Sequence, residues 1–315
     1  VKLIEMDIKN IYNEQGFIII RKLIKEKYIS EVLNSLEIFK KKNTFYYTQN
    51  NHNWVKSGEV TKEGHLINSI QSPTKQNNCG RLKLDIKEII ASVEISKKLQ
   101  EINGSERFVN WQNMLFDKST GTIDHADTWY LDTKPRGQMI AAWIALEDIN
   151  ESAGRFFVYP KSHKLNIPEN FNQKINSNIE YVNFINKFLI NQKLERYAPE
   201  MKKGDVLFWH PFTIHGSLSQ IDSKYSRKSL TAHYHPIGAG RIGTAESKKE
   251  IKRYLRKLRK SKNPSIFFDN CDPSDFEFTT ISYTKWLIKK LLRKKVISKS
   301  SIMDREEIIK KDSNF

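Results

Sequence analysis

Gly204-Asp205-Val206-Leu207-Phe208-Trp209-His210-Pro211-Phe212-Thr213-Ile214-His215-Gly216-Ser217 reads as a turn, a buried strand, a second turn at Pro211 and a returning strand that begins at His215. The same grammar recurs around it. Residues 108–116, 138–146, 156–159 and 229–234 are further short β-type runs, separated by Gly, Pro, Asp and Asn clusters. Such a series predicts a mainly β sandwich or barrel. Upstream of Arg107 the period becomes helical. Residues 6–14 come first, then a stripe of Ile29, Val32, Leu33, Leu36 and Phe39. A further stripe runs through Ile86, Ile89, Ile90, Val93 and Leu99 and stops near Gly104. Phe17-Ile18-Ile19-Ile20 is a β-type run between the first two, and residues 43–53 read as a polar, aromatic loop. The stretch 165–200 is too long for an ordinary connection, which predicts a lid-like insertion with its own helix.

The chemistry starts at Asp124-His125-Ala126-Asp127. Residues two apart on a strand share a face, so His125 and Asp127 present an imidazole and a carboxylate to one point. A lone His-x-Asp is a weak signal and needs a third ligand from elsewhere. His215 is the candidate, because two histidines and a carboxylate form the facial triad that suits iron(II) and leaves positions open. A site of three or four histidines is the alternative, and His233 with His235 is a rival pair on the last strand. His210 lies five residues before His215, so a continuous strand points it the other way. Arg227 lies twelve residues beyond His215, and a turn at Asp222-Ser223 returns it alongside. Its guanidinium matches a carboxylate with two parallel hydrogen bonds, and Ser217 can reach the same carboxylate.

Three blocks then carry a resemblance. His125-Ala126-Asp127-Thr128-Trp129-Tyr130 resembles the metal-binding segment of the phytanoyl-CoA dioxygenase family. Trp143-Ile144-Ala145-Leu146-Glu147-Asp148, followed by Ala153-Gly154-Arg155-Phe156-Phe157-Val158-Tyr159-Pro160-Lys161-Ser162-His163, is similar to the strand and hairpin that come next in that family. Gly204 through Ser217, then Arg227, is similar to its distal half. The resemblance spans about residues 110–236. It implies a double-stranded β-helix core of the jelly-roll or cupin-like kind with flanking helices. It further implies iron(II), with 2-oxoglutarate and O2 as co-substrates, and hydroxylation of a C–H bond with release of succinate and CO2. By the same resemblance His125, Asp127 and His215 bind the metal, Arg227 and Ser217 hold the oxo-acid, and Trp143 and Met114 contact the co-substrate. The carboxylate at Asp127 argues against halogenation. Lys161 departs from the family's usual Gly, and the family's basic N-terminal contact to the oxo-acid has only Arg81 or Lys83 as candidates.

The substrate is less legible. Trp129, Tyr130 and Arg136, with Asp132 and Lys134, follow the metal motif and would line the mouth, which suits a small polar or anionic metabolite. The formal net charge is +17, and residues 241–315 hold 20 Lys and Arg against 10 Asp and Glu. That basic stretch carries two helical stripes, one at Ile251, Tyr254, Leu255 and Leu258 and one at Trp286, Leu287, Ile288, Leu291 and Leu292. The expected organisation is a catalytic unit over 1–240 and a basic helical extension over 241–315. Peripheral membrane contact is compatible with such an extension. A basic nucleic-acid- or membrane-surface-binding protein, or an oxygenase acting on nucleic acid, is the alternative reading, although no recognised nucleic-acid motif is present. Two cysteines, Cys79 and Cys271, give no disulfide framework, and no apolar run approaches a membrane span. The expected location is cytoplasmic.

Overall fold

The computed structural model describes residues 7–48, 53–129, 131–165, 178–241, 248–258, 264–268 and 284. Four helices come early: α1 (Ile8–Gln15), α2 (Glu26–Lys41), α3 (Arg81–Ile90) and α4 (Val93–Asn103). The stripe predicted through residues 86–99 is two helices. Ala91 leaves helical geometry, and the Ser92 side chain accepts a hydrogen bond from Ile95 N to cap α4. Residues 43–53 also differ from expectation. They hold β2 (Phe45–Thr48) and the start of β3 (Asn53–Lys56), paired antiparallel, because Tyr46 and Trp54 bury their rings.

The main sheet has nine strands in the order β1-β9-β7-β11-β5-β4-β2-β3, with β13 added beside β5. Its central members are β1 (Phe17–Ile20), β9 (Val206–Trp209), β7 (Ile140–Ala145), β11 (Ser229–Pro236) and β5 (Phe108–Phe116). β4 (Ile70–Gln71) joins β5 to the β2–β3 hairpin. Period-two alternation assigns two faces to this sheet. Ala142, Ile144, Val206, Phe208, Leu115, Leu230, Ala232 and Tyr234 point outward and form one core with the apolar stripes of α1 to α4. Tyr234 also donates its hydroxyl proton to Ile90 O at 2.7 Å, tying α3 to β11. Ala141, Trp143, Ala145, Leu207 and Trp209 point inward. There they meet Phe156 and Val158 of β8 (Phe156–Val158), which pairs with β10 (His215–Ser217) in a second, two-stranded sheet. The architecture is therefore two facing sheets with α1 to α4 packed on the outer face of the larger one.

The insertion contains α5 (Asn178–Asn191). Its Tyr181, Ile185 and Leu189 pack on Ala126, Phe157, Tyr159 and Ile214, which places it against the metal-motif segment. In the basic C-terminal stretch, α6 (Lys248–Leu258) buries Tyr254 and Leu258 against Val109 and Phe267. Residues 266–268 lie in the stretch expected to be helical, yet Ile266–Phe268 forms β13, parallel to β5, because Ile266 and Phe267 are buried there. The second stripe, from Trp286 to Leu292, and Cys271 lie outside the described residues. Among the described residues no helix is long and apolar enough to cross a membrane.

Candidate metal centre

His215 opens β10 at the point where the chain returns after Pro211. His125 pairs with it in a single antiparallel bridge, through His125 N to His215 O at 3.0 Å and His215 N to His125 O at 2.9 Å. The two imidazoles are thereby placed side by side, with ring centroids 4.3 Å apart. Asp127 does not continue a strand as the spacing predicts. It begins a 3-10 turn (Asp127–Trp129), and that turn brings its carboxylate beneath both rings. Asp127 Oδ1 lies 3.7 Å from His215 Nε2 and 3.9 Å from His125 Nε2. One donor atom from each of the three residues lies within 4.8 Å of the others, and all three residues are buried.

The tautomers are set by the backbone. His125 Nδ1 lies 2.8 Å from Ile123 O, and His215 Nδ1 lies 2.9 Å from Thr213 O. A carbonyl only accepts, so each Nδ1 carries a proton, and Nε2 is the nitrogen each ring turns toward Asp127. Burial pushes the His215 imidazole down to about 3, against the pull of the Asp127 carboxylate, so this ring is neutral. Burial acts on Asp127 in the opposite sense, toward the acid. The imidazoles of His215, His233 and His125 outweigh it and hold the carboxyl well below the usual carboxylate range. A carboxylate at Asp127, a neutral imidazole at His215 and an Nε2 of His125 facing the same point make a donor set that fits iron(II).

The insertion braces this segment from outside. Ala126 N donates to the Tyr181 hydroxyl at 2.9 Å, at the residue between the two motif ligands. Arg196 donates to Asp124 through Nη2 at 2.8 Å and to the Tyr159 hydroxyl through Nε at 2.8 Å, while its guanidinium stacks on Phe157. Neither Tyr181 nor Arg196 stands out in the sequence, since both contacts join segments far apart in the chain.

The other predicted residues fall as follows. Arg227 is 1% exposed, donates to Gly154 O at 3.5 Å, and lies over the rings of Phe116 at 5.2 Å and Trp143 at 5.9 Å. Trp143 stacks on Phe156, which in turn meets His215, so one chain of aromatic contacts links Arg227 to the metal ligands. Ser217 accepts from Thr122 N at 2.7 Å and is buried. Met114, Thr231, Trp143 and Leu207 form one cross-strand row on the inner face. Arg136 is held by Asp132 at 3.2 Å and lies over Phe212. Tyr130 and the side chain of Trp129 lie outside the described residues. Arg81 is exposed and paired with Asp85 at 2.7 Å, and Lys83 donates to Asn77 at 2.9 Å. His210 lies beyond the end of β9, where its Nδ1 accepts from Phe212 N, and His163 reaches back to Asn13 O. The rival pair separates in role. His233 faces Asp127, whereas His235 meets the edge of Trp111.

Two histidines and a carboxylate between the sheets of a double-stranded β-helix define a non-haem iron oxygenase. The chain belongs to the phytanoyl-CoA dioxygenase (PhyH) family, whose model matches residues 12–229. The peroxisomal phytanoyl-CoA dioxygenase of Homo sapiens is 23% identical over 239 residues, which cover 74% of this chain and 68% of that protein. The Bos taurus protein is 23% identical over 264 residues, covering 81% and 77%. Among solved structures, the non-heme alpha ketoglutarate dependent carbocyclase SnoK aligns with a TM-score of 0.56 at 18% identity, over 76% of this chain and 86% of that one. EctD from S. alaskensis, solved with 2-oxoglutarate and 5-hydroxyectoine, aligns with a TM-score of 0.52 at 13% identity, over 74% and 77%. These two likenesses establish the fold.

Proposed function

We propose that this oxygenase takes 2-oxoglutarate as co-substrate and hydroxylates a C–H bond of a small polar or anionic molecule. The observation that carries the reading is the placement of a buried guanidinium and a metal-ready triad at two ends of one aromatic-lined interior. Iron(II), when bound, couples oxidative decarboxylation of 2-oxoglutarate by O2 to hydroxylation, with release of succinate and CO2. His125, Asp127 and His215 hold the iron. Arg227 takes the far carboxylate of the oxo-acid, a role that suits a planar, permanently charged group among aromatic faces. Ser217 already uses its oxygen as an acceptor for Thr122 N, which leaves its O–H to donate to the same carboxylate. Trp143 and Met114 would flank the oxo-acid from β7 and β5, the two strands on either side of β11. Burial of the whole interior excludes water from the reacting centre.

Substrate recognition belongs at the mouth, with Trp129 and Tyr130 as its proposed aromatic surface. Arg136 contributes there as a residue already oriented by Asp132. For the basic contact to the oxo-acid, Lys75 is better placed than Arg81. It is buried on the turn after β4, the strand whose Gln71 pairs with Met114. Within the basic C-terminal stretch only α6 is proposed as a peripheral element, since it lays its apolar side on the sheet, whereas residues 266–268 join the sheet as β13. Succinate release from 2-oxoglutarate, measured with and without iron(II) in wild type and Asp127→Ala, tests the reading. Iron-dependent succinate lost in the variant is expected; succinate formed equally by both proteins rejects it.

A further inference from the structure

The two oxygens of Asp127 have different surroundings. Oδ1 faces the Nε2 atoms of His215 and His125 at 3.7 and 3.9 Å. Oδ2 turns away from that point. It accepts a hydrogen bond from Trp209 Nε1 at 2.9 Å, and His233 Nε2 stands 3.5 Å from it. From this we infer that Trp209 and His233 are positioning residues that hold Oδ2 off the metal, so that Asp127 ligates through Oδ1 alone. The inference rests on the iron-dependent reading above.

The sheet explains how two residues from distant parts of the sequence reach one oxygen. Gln112, His233, Ala141 and Trp209 form a single cross-strand row on the inner face of β5, β11, β7 and β9. His233 and Trp209 are separated by one strand, and the residue between them is an alanine. Its methyl leaves the space that lets both rings lean together, edge to face, with centroids 5.7 Å apart. The carboxylate of Asp127 reaches both rings from the 3-10 turn that follows His125. Both rings are 1–2% exposed, so neither donor exchanges its partner for water. An indole N–H donates and never accepts, which fixes the sense of the first bond. Nε2 is the ring nitrogen that faces Oδ2 and Nδ1 has no hydrogen-bond partner among the described residues, so the His233 proton is assigned to Nε2.

The consequence concerns open coordination positions. A carboxylate that bound through both oxygens would occupy a site that the oxo-acid or O2 needs. Two N–H groups on Oδ2 make that second contact unfavourable and keep Oδ1 aimed at the ion. Neighbours of this kind typically change metal affinity by about 10–100-fold when removed.

The test uses the full chain, loaded anaerobically with Fe(II) or with Co(II) as a spectroscopic probe. Trp209→Phe keeps an aromatic ring and removes the N–H. His233→Leu removes the donor at similar volume, and His233→Gln restores an N–H. Expected are Fe(II) dissociation constants raised about tenfold or more in Trp209→Phe and His233→Leu. A changed Co(II) d–d absorption should accompany them, with partial recovery of both in His233→Gln. Folded Trp209→Phe with wild-type affinity and an unchanged Co(II) spectrum overturns the inference, while Asp127→Ala in the same titration keeps the metal reading separately measured. His233→Gln behaving like His233→Leu, with Trp209→Phe silent, assigns both rings to packing and also overturns it. If His233→Leu does not fold, Trp209→Phe decides alone. A wild-type chain that binds Fe(II) no better than Asp127→Ala overturns this inference and the iron reading together.

Discussion

Asp127 carries a charge in a buried place only because imidazoles and an indole surround it. Removing one side of such an arrangement leaves its partners exposed to the full cost of burial. In the proposed function Arg227 would stand in the same position toward the oxo-acid. Arg227→Ala should weaken 2-oxoglutarate binding by about 2–5 kcal/mol, the scale for truncating one member of a desolvated charge pair. Fe(II) binding should survive, because the guanidinium is tied to Gly154, Phe116 and Trp143 and not to the triad. Calorimetric titration of each ligand separately checks both halves; unchanged oxo-acid affinity would move that role to another basic residue. At this scale the sequence was a good guide to residue type and a poor guide to geometry. His125 and Asp127 meet as expected, yet through a bridge and a 3-10 turn instead of strand alternation.

The loops between strands carry conformational demands that single residues meet or fail. Lys161 adopts φ 66°, a left-handed conformation that a side chain disfavours by roughly 1–2 kcal/mol. The departure from the family's glycine is therefore one of energy and not of shape. Lys161→Gly should stabilise the chain by about 1 kcal/mol, seen as a raised Tm, with the metal centre unaffected. Gly154 makes the opposite case. Its φ is 81°, and a Cβ there would stand 2.5 Å from Leu218 O and 2.8 Å from the Ser119 side chain. Gly154→Ala should cost about 1–3 kcal/mol. It should also weaken 2-oxoglutarate binding, since Gly154 O is an anchor of Arg227; denaturant melts and titration read the two effects. α5 supplies a third test. Tyr181→Phe removes the partner of Ala126 N, a buried donor, and should cost about 1–3 kcal/mol in the same melts.

Acid should unfold the whole molecule partly through its buried histidines. Burial pushes His210 down to about 3, and the unfolded imidazole titrates near 6.5. The unfolded chain thus takes up a proton that the folded chain refuses. Stability is full above pH 6.5 and falls as the pH drops from there toward 3. His163, pushed down by burial as well, acts in the same direction. At pH 5.5 the contribution of His210 should be on the order of 1 kcal/mol. Thermal melts of the metal-free chain should show that slope, and His210→Asn, which still offers an acceptor to Phe212 N, should flatten it. An identical slope in the variant would place the acid sensitivity elsewhere.

Residue chemistry and local period were enough to read the strand series, the helical N-terminal part and the two histidines and carboxylate that come together at His125, Asp127 and His215. Each of these depends on what a side chain is and on what lies within a few residues of it. The structure alone decided which residues share a row. Trp209 and His233 look in sequence like a core aromatic and half of a rival histidine pair. They meet at Asp127 Oδ2 because β9 and β11 flank β7, and because Ala141 leaves the gap between them. The bond from Ala126 N to Tyr181, the split of one helical stripe at Ser92 and the strand at Ile266–Phe268 have the same character. Each depends on contacts between segments, or on a single capping side chain, and an apolar period is the same whether its partner is a helix, a sheet face or a neighbouring strand.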